Sequence, residues 1–258
     1  MNFRLIGTVA CLLLSVPAAQ ADTPAAVDDP IFSTLAKPPE QGEGKWQGSL
    51  GMGFTLNRGN DNSTQASFSG NAVRAMRDSR LVARALVIRN SSSGERTSES
   101  ANLEFRGERS FDDNMFGFGD AQLERDVKND LSLRQSLSAG IGRRLYDEEA
   151  IRLNLYGGLA YAMANFYEAR DGRGFEPMVG EDMDYKLSET SRLGQRFVLF
   201  PTTVGAGGMR TALQADITTR ITDRFGLQVA VLHKYREQTN GTSKHNDLTI
   251  FTGLTSKF

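Results

Sequence analysis

Cysteine is almost missing: Cys11 is the only one in 258 residues, and there are only 2 histidines. Cys11 falls in an N-terminal stretch that reads as a removable leader, so the mature chain carries no thiol. Disulfides, thiol nucleophiles and cysteine-bound metals are thereby excluded, and packing and backbone hydrogen bonds must hold the fold. An excess of one charge is missing too. The 30 Lys and Arg nearly balance 31 Asp and Glu, and no block of like charge forms a basic arm or acidic tail, which argues against nucleic acid as a partner. No apolar run is long enough to cross a bilayer as a helix, and helical periodicity is nowhere sustained.

What is there begins with "MNFRLIGTVACLLLSVPAAQA". One early charge at Arg4, an apolar run from Leu5 to Val16 and the small-residue site Ala19-Gln20-Ala21 predict a secretory signal peptide over 1–21. Lipid modification at Cys11 would need an apolar residue where Thr8 stands. Residues 22–44, rich in proline, glycine and acid, read as a flexible periplasmic leader.

From Lys45 onward the pattern has period two. In "WQGSLGMGFTLN", Trp46, Leu50, Met52, Phe54 and Leu56 share one face, with Gln47, Ser49, Thr55 and Asn57 on the other. "ANLEFRGERSF" sets Ala101, Leu103, Phe105 and Phe111 against Asn102, Glu104, Arg106, Glu108 and Ser110. "IRLNLYGGLAYAM" sets Ile151, Leu153, Leu155, Leu159, Tyr161 and Met163 against Arg152, Asn154 and Tyr156. Such alternation predicts strands with one apolar and one polar face. Strands are expected at 45–57, 63–77, 80–90, 98–111, 115–126, 131–146, 151–164, 179–187, 191–201, 208–221, 224–236 and 246–258. The count is twelve, or ten where the pattern blurs in 80–90 and 165–207.

Tight turns at 77–79, 112–114, 147–150, 188–190 and 222–224 alternate with mostly longer polar connectors, including "NSSSGERT", "ANFYEARDGRGFEPM" and "REQTNGTSKHN". This is an up-and-down meander whose two ends face different compartments. A soluble sandwich would bury the apolar faces, whereas an outer-membrane barrel turns them to lipid around a polar lumen. Most segments reach eleven to sixteen residues, against about five to six in soluble sheets, and closure removes edges that lipid would not tolerate. The expected fold is therefore all-β: a closed antiparallel transmembrane barrel over 45–258, in the outer membrane of a Gram-negative bacterium.

Trp46, Phe111, Phe116, Tyr146, Tyr185, Phe225 and Phe258 fall at strand ends on the tight-turn side, where an aromatic girdle at the periplasmic interface would lie. Phe258, the last residue, continues the row Leu248, Ile250, Thr252, Leu254 and Ser256 and resembles the terminal aromatic signal that such barrels present to the assembly machinery.

"KWQGSLGMGFTLNRGN", "LERD" at 123–126, "SAGIGRRL" at 138–145, "KLSETSRLGQRFVLFP" at 186–201, "ITDRFGLQVAV" at 221–231 and the closing "NDLTIFTGLTSKF" resemble, in order, the YdiY-like family named for salt-induced outer-membrane proteins. The resemblance spans nearly all of the chain after Lys45. It implies an outer-membrane barrel of this size and, through the family's name, a part in osmotic or salt adaptation. It brings no catalytic or binding residues.

With the apolar faces outward, the lumen is expected to receive Glu104, Arg106, Glu108, Arg134, Arg144, Arg152, Asp216, Arg220 and Lys234. These charges would either line a narrow channel or pair into a network that fills it. No enzyme is expected. His233 falls on the outward row with no serine partner in view and no G-x-S-x-G, and His245 lies in a polar loop. Asp171, Glu181, Asp182 and Asp184 form an acidic stretch expected at the loop-side rim, where "GEDMD" could bridge lipopolysaccharide through divalent cations; it lacks a calcium-loop pattern. "GAGG" at 205–208 lacks the lysine and helix of a phosphate loop. Neither catalytic residues nor a cofactor or bound metal are expected.

The expected function is a non-enzymatic small channel or envelope component. The alternatives are a receptor or adhesin using loops near 164–179 and 236–246, and a lipid-active enzyme centred on His233. Expected partners are outer-membrane lipids and lipopolysaccharide, periplasmic chaperones and the barrel assembly machinery, with ions or small solutes as cargo.

Overall fold

Twelve antiparallel strands succeed one another and close on themselves, each pairing with its chain neighbours and the first with the last. They are β1 (Gln47–Asn57), β2 (Ser63–Ala75), β3 (Ser79–Ser92), β4 (Glu95–Ser110), β5 (Met115–Asp126), β6 (Leu131–Asp147), β7 (Ile151–Phe166), β8 (Gly172–Lys186), β9 (Ser191–Phe200), β10 (Arg210–Arg220), β11 (Phe225–Arg236) and β12 (Asn246–Lys257). The structure, a computed structural model, describes residues 44–57, 63–92, 95–204, 207–238 and 245–258. The signal peptide expected over 1–21, and the leader over 22–44 except Gly44, lie outside them.

The expected alternation holds around the wall. Leu50, Met52, Phe54, Leu103, Phe105, Leu155, Leu159, Leu248, Ile250 and Leu254 are all exposed on the outside, because residues one apart in a strand point to opposite faces. The tight turns are built from local side-chain bonds. Asp112 accepts the N–H groups of Asn114 (2.8 Å) and Met115 (2.7 Å), which holds its carboxyl below the usual range. Thr222 accepts the N–H groups of Arg224 and Phe225 in the same way.

Two expectations about the other rim need correcting. β8 begins at Gly172, not 179, so the connector after β7 is only 167–171. Gly174 and Pro177 read as loop punctuation, yet Arg173, Phe175, Pro177 and Val179 already alternate with Gly174, Glu176 and Met178. Pro177 is tolerated because β8 and β9 are in register only from Val179–Leu199 to Lys186–Arg192, leaving this part of β8 without a strand partner on that side. "NSSSGERT" is likewise mostly strand, since β3 runs to Ser92 and β4 starts at Glu95. The connector at 167–171 is tied down by Asp130, whose carboxylate accepts N–H bonds from Glu168 and Ala169 at 3.0 and 2.9 Å. A receptor loop over 164–179 is therefore lost. Part of the 236–246 loop and Gly205 and Ala206 of "GAGG" lie outside the described residues.

The β1–β12 seam is the shortest in register, four pairs from Ser49–Lys257 to Met52–Leu254. Phe258 extends it. Its N–H donates to the Gly48 carbonyl at 3.0 Å and its carbonyl accepts from Gly48 N–H at 3.4 Å. Its ring lies over Gly48 so closely that a Cβ there would be 2.5 Å from Cζ. Deleting Phe258 is expected to sharply lower the fraction that migrates as the compact, heat-modifiable form on cold gel electrophoresis. Wild-type folding yield of the deletion variant would show that the seam closes without it.

Trp46, Phe111, Tyr146, Phe225 and Phe258 are exposed on the tight-turn rim as expected, and Tyr185 is half-buried on the same outward row. Phe116 is the exception and a correction: it is fully buried inside the barrel. Register decides this. Ser110 pairs with Phe116, and Glu108 with Phe118, so Phe116 shares the inward row of Asp120, Gln122 and Glu124, while Phe111 lies outside against Gly117.

Candidate functional site in the lumen

Inward parity on successive strands places all nine charges expected in the lumen on the inner wall. Glu104, Arg106, Glu108, Arg134 and Arg152 are buried, whereas Arg144, Asp216, Arg220 and Lys234 are half-buried. They do not form one site. Arg144 lies at the tight-turn end, donating to Ser110 Oγ at 2.8 Å with its guanidinium 5.3 Å from the Phe116 ring centre. Arg152 faces Asp147 at 3.7 Å, and Arg220 donates to the Glu189 carbonyl. Asp216 accepts from Thr218 (3.2 Å) and Gln228 (3.1 Å).

At the tight-turn end the inner wall carries a packed layer. Phe116 lies against Gly142, Phe118 against Gly140 and Tyr156 against Gly180; in each case a Cβ on the glycine would collide with the ring. The Arg106 guanidinium sits in the corner between two edge-to-face rings, 4.1 Å from the Phe118 centroid and 4.3 Å from that of Tyr156, a cation–π arrangement strengthened by exclusion of water. Glu108 completes the layer, 2.7 Å from Arg106 and 2.5 Å from Arg80.

Farther in, ion pairs span the lumen itself. Glu104 on β4 is 2.6 Å from Arg196 on β9, five strands away around the wall, and also 2.8 Å from Arg84 on β3. Arg196 is 3.5 Å from Asp182. Glu124 on β5 meets Arg210 on β10 at 3.0 Å and Lys234 on β11, the directly opposite strand, at 2.9 Å. Lys234 also reaches Asp126 at 3.2 Å, and Arg210 stacks 4.3 Å from the Phe200 ring centre. Arg134 pairs with Glu176, which accepts the Val204 N–H at 2.6 Å. A cavity of about 230 Å³ remains among these braces, lined by both charges and neutral groups such as Asn71, Gln122, Ser136 and Gln214. A second, of about 160 Å³, lies toward the longer connectors beside Lys128 and Asp247.

Of the brace residues, Arg84, Glu124, Asp126, Asp182, Arg196 and Arg210 are absent from the expected set, as are Arg80 and Glu176. For some the signal is present: in "MFGFGDAQLERD" the polar row Asp120, Gln122, Glu124 and Asp126 shares parity with Phe116 and Phe118, which also gives the ring's direction. Asp182 and Asp184 are not at an outer rim. They are buried toward the tight-turn end, Asp184 against Arg192 at 2.5 Å, and Glu181 points outward to Gln195. Asp171 alone of that acidic stretch lies in a connector, accepting the Phe166 N–H. No group of three or more His, Cys, Asp or Glu side chains placed to hold a metal occurs among the described residues. His233 faces outward, 3.2 Å from Asn246 Oδ1, and His245 is 2.9 Å from the Arg236 carbonyl.

Several solved structures share the general architecture at low identity. The translocator domain of the autotransporter NalP from Neisseria meningitidis is 12% identical with a TM-score of 0.42, covering 85% of this chain and 90% of that one. The NanC porin is 7% identical with a TM-score of 0.49, covering 81% and 98%. A KdgM porin in complex with disordered oligogalacturonate is 8% identical with a TM-score of 0.43, also covering 81% and 98%. No curated protein is significantly similar in sequence. A family model matches residues 50–258, all but the first few residues of the barrel, and on that match the chain belongs to DUF481, a family of proteins of unknown function.

Proposed function

We propose that the protein is an exported, integral outer-membrane barrel whose lumen is held shut by ion pairs between opposing walls, and that it serves as a non-enzymatic envelope component. The observation that carries this is the pair of braces, Glu104–Arg196 and Glu124–Lys234, joining strands from opposite sides. Buried carboxylate–cation pairs with further hydrogen bonds are rigid, because breaking one strands an uncompensated charge. The largely apolar outer wall and the exposed rings at the tight-turn rim support the membrane location. Its surroundings would be membrane lipid and lipopolysaccharide, reached through periplasmic chaperones and the assembly machinery. A part in osmotic or salt adaptation enters through the family resemblance alone.

In planar bilayers the purified protein is expected to be silent or to open only in very small steps, whereas Glu104→Gln with Arg196→Gln should raise the conductance several-fold. Large wild-type steps unchanged by the double substitution would overturn the closed-lumen proposal. The cavity of about 230 Å³ favours a second reading, a narrow passage for a small polar solute. Small wild-type steps blocked by such a solute would select it.

A further inference from the structure

On the outer wall one polar pair lies where lipid is expected. Glu181 on β8 pairs across the sheet with Leu155 and Phe197, and Gln195 on β9 with Met183 and Ala215. All of these are outward positions, and the Gln195 amide donates to the Glu181 carboxylate. Glu181 lies four residue steps along β8 from Tyr185 on the aromatic row, which at about 3.3 Å per step and a tilt near 40° puts it about 10 Å inside the belt. Other outward charges lie near the rims: Arg89 and Glu99 pair above the end of β5, Arg125 and Arg173 are the second residues from the ends of their strands, and Arg143 is level with Met115, the first residue of β5. Lipid tails offer no hydrogen bonds, so a carboxylate and a primary amide there need protein partners.

We propose that this face of β8–β10 is an interface in the membrane between two copies of the chain, related by a two-fold axis along the membrane normal. It rests on the lipid-facing assignment above. The pair is self-complementary. Glu181 keeps acceptor sites and Gln195 a second amide N–H beyond their mutual bond, their only one among the described residues. In an isologous contact Glu181 accepts from Gln195 of the partner subunit while Gln195 donates to Glu181 of the partner subunit, closing a four-membered ring of hydrogen bonds out of lipid. Ala215, small and next to Gln195, lets the two walls approach, and the exposed Val179 and Ile217 flank it with apolar surface. A different membrane protein would have to match both a donor and an acceptor, whereas a second copy does so by symmetry.

The thiol-free mature chain provides the test. Ala215→Cys, and separately Leu193→Cys, are oxidised in native membranes, with Leu123→Cys on the far side of the barrel as control. Covalent dimers are expected at 215 or 193 and not at 123, and adding Glu181→Leu with Gln195→Leu should reduce them at least tenfold. Absence of dimers at both positions, equal dimers at 123, dimers surviving the double substitution, or cross-links only to a protein of another mass would each overturn the proposal. Membrane recovery and heat-modifiable migration are scored on the same samples. Failure of the lipid-facing assignment then shows as loss of the barrel from the membrane, and failure of the dimer as a membrane-resident monomer.

Discussion

Glu104→Gln is expected to destabilise the barrel by about 3–5 kcal/mol, the range for removing one partner from a buried ion pair. The change keeps the shape of the side chain but removes its charge and turns one of its two accepting oxygens into a donor. Glu104 is buried, and it answers two guanidiniums, Arg84 at 2.8 Å and Arg196 at 2.6 Å. Without it two cations face each other in a narrow lumen, with Asp182 as the only other carboxylate paired to Arg196 among the described residues. The unfolding midpoint in urea, followed through Trp46, the only tryptophan, measures the loss. Adding Arg196→Leu should recover part of it, because the second change removes the stranded charge, and the coupling is read as a double-mutant cycle. A loss below about 1 kcal/mol, as for a solvated surface pair, would mean that water fills the lumen around these groups and that they do not brace it.

Gly140→Ala is expected to approach or exceed the upper end of the roughly 1–3 kcal/mol range for overpacking. Gly140 on β6 stands directly opposite Gly158 on β7. A methyl group at 140 would collide with the Gly157 carbonyl oxygen and lie 2.7 Å from both Gly158 Cα and a ring carbon of Phe118. Two of these obstacles are backbone, so relief requires the strands to part or the Arg106–Phe118–Tyr156 layer to shift. Gly119→Ala on the outer face of β5 is the control, since a Cβ there meets nothing within 4 Å, and it should stay within about 0.5 kcal/mol of wild type. Equal urea midpoints for the two variants would refute this account of the β6–β7 contact.

Much of the wall is legible in the residue alternation alone. Eleven of the twelve strands fall within a few residues of their expected bounds, because alternation is a local property that needs no knowledge of neighbours. The expected β8 is too short because Gly174 and Pro177 carry loop chemistry, and only the end of its pairing with β9 explains why a proline is tolerated there. Phe116 is expected outward when a ring near a strand end is weighed by its type; the parity shared with Asp120, Gln122 and Glu124 points it inward. Among the lumen charges the nine expected are on the inner wall, but only one partner of each main brace is among them, although parity in β5 also points Glu124 inward. Arg196 and Asp182 sit in the stretch where alternation blurs.

By itself, then, the sequence determined the facing of the wall: which rows face outward, which face the lumen, where the chain turns and which rim carries most of the rings. The tertiary structure alone decided which charges meet. Glu104 and Arg196 are 92 residues apart and Glu124 and Lys234 are 110, and no periodicity in either strand refers to the other. Their encounter depends on the number of strands, the register of every pair between them and the closure made at Gly48 and Phe258, all of which set the width of the lumen that a side chain must cross.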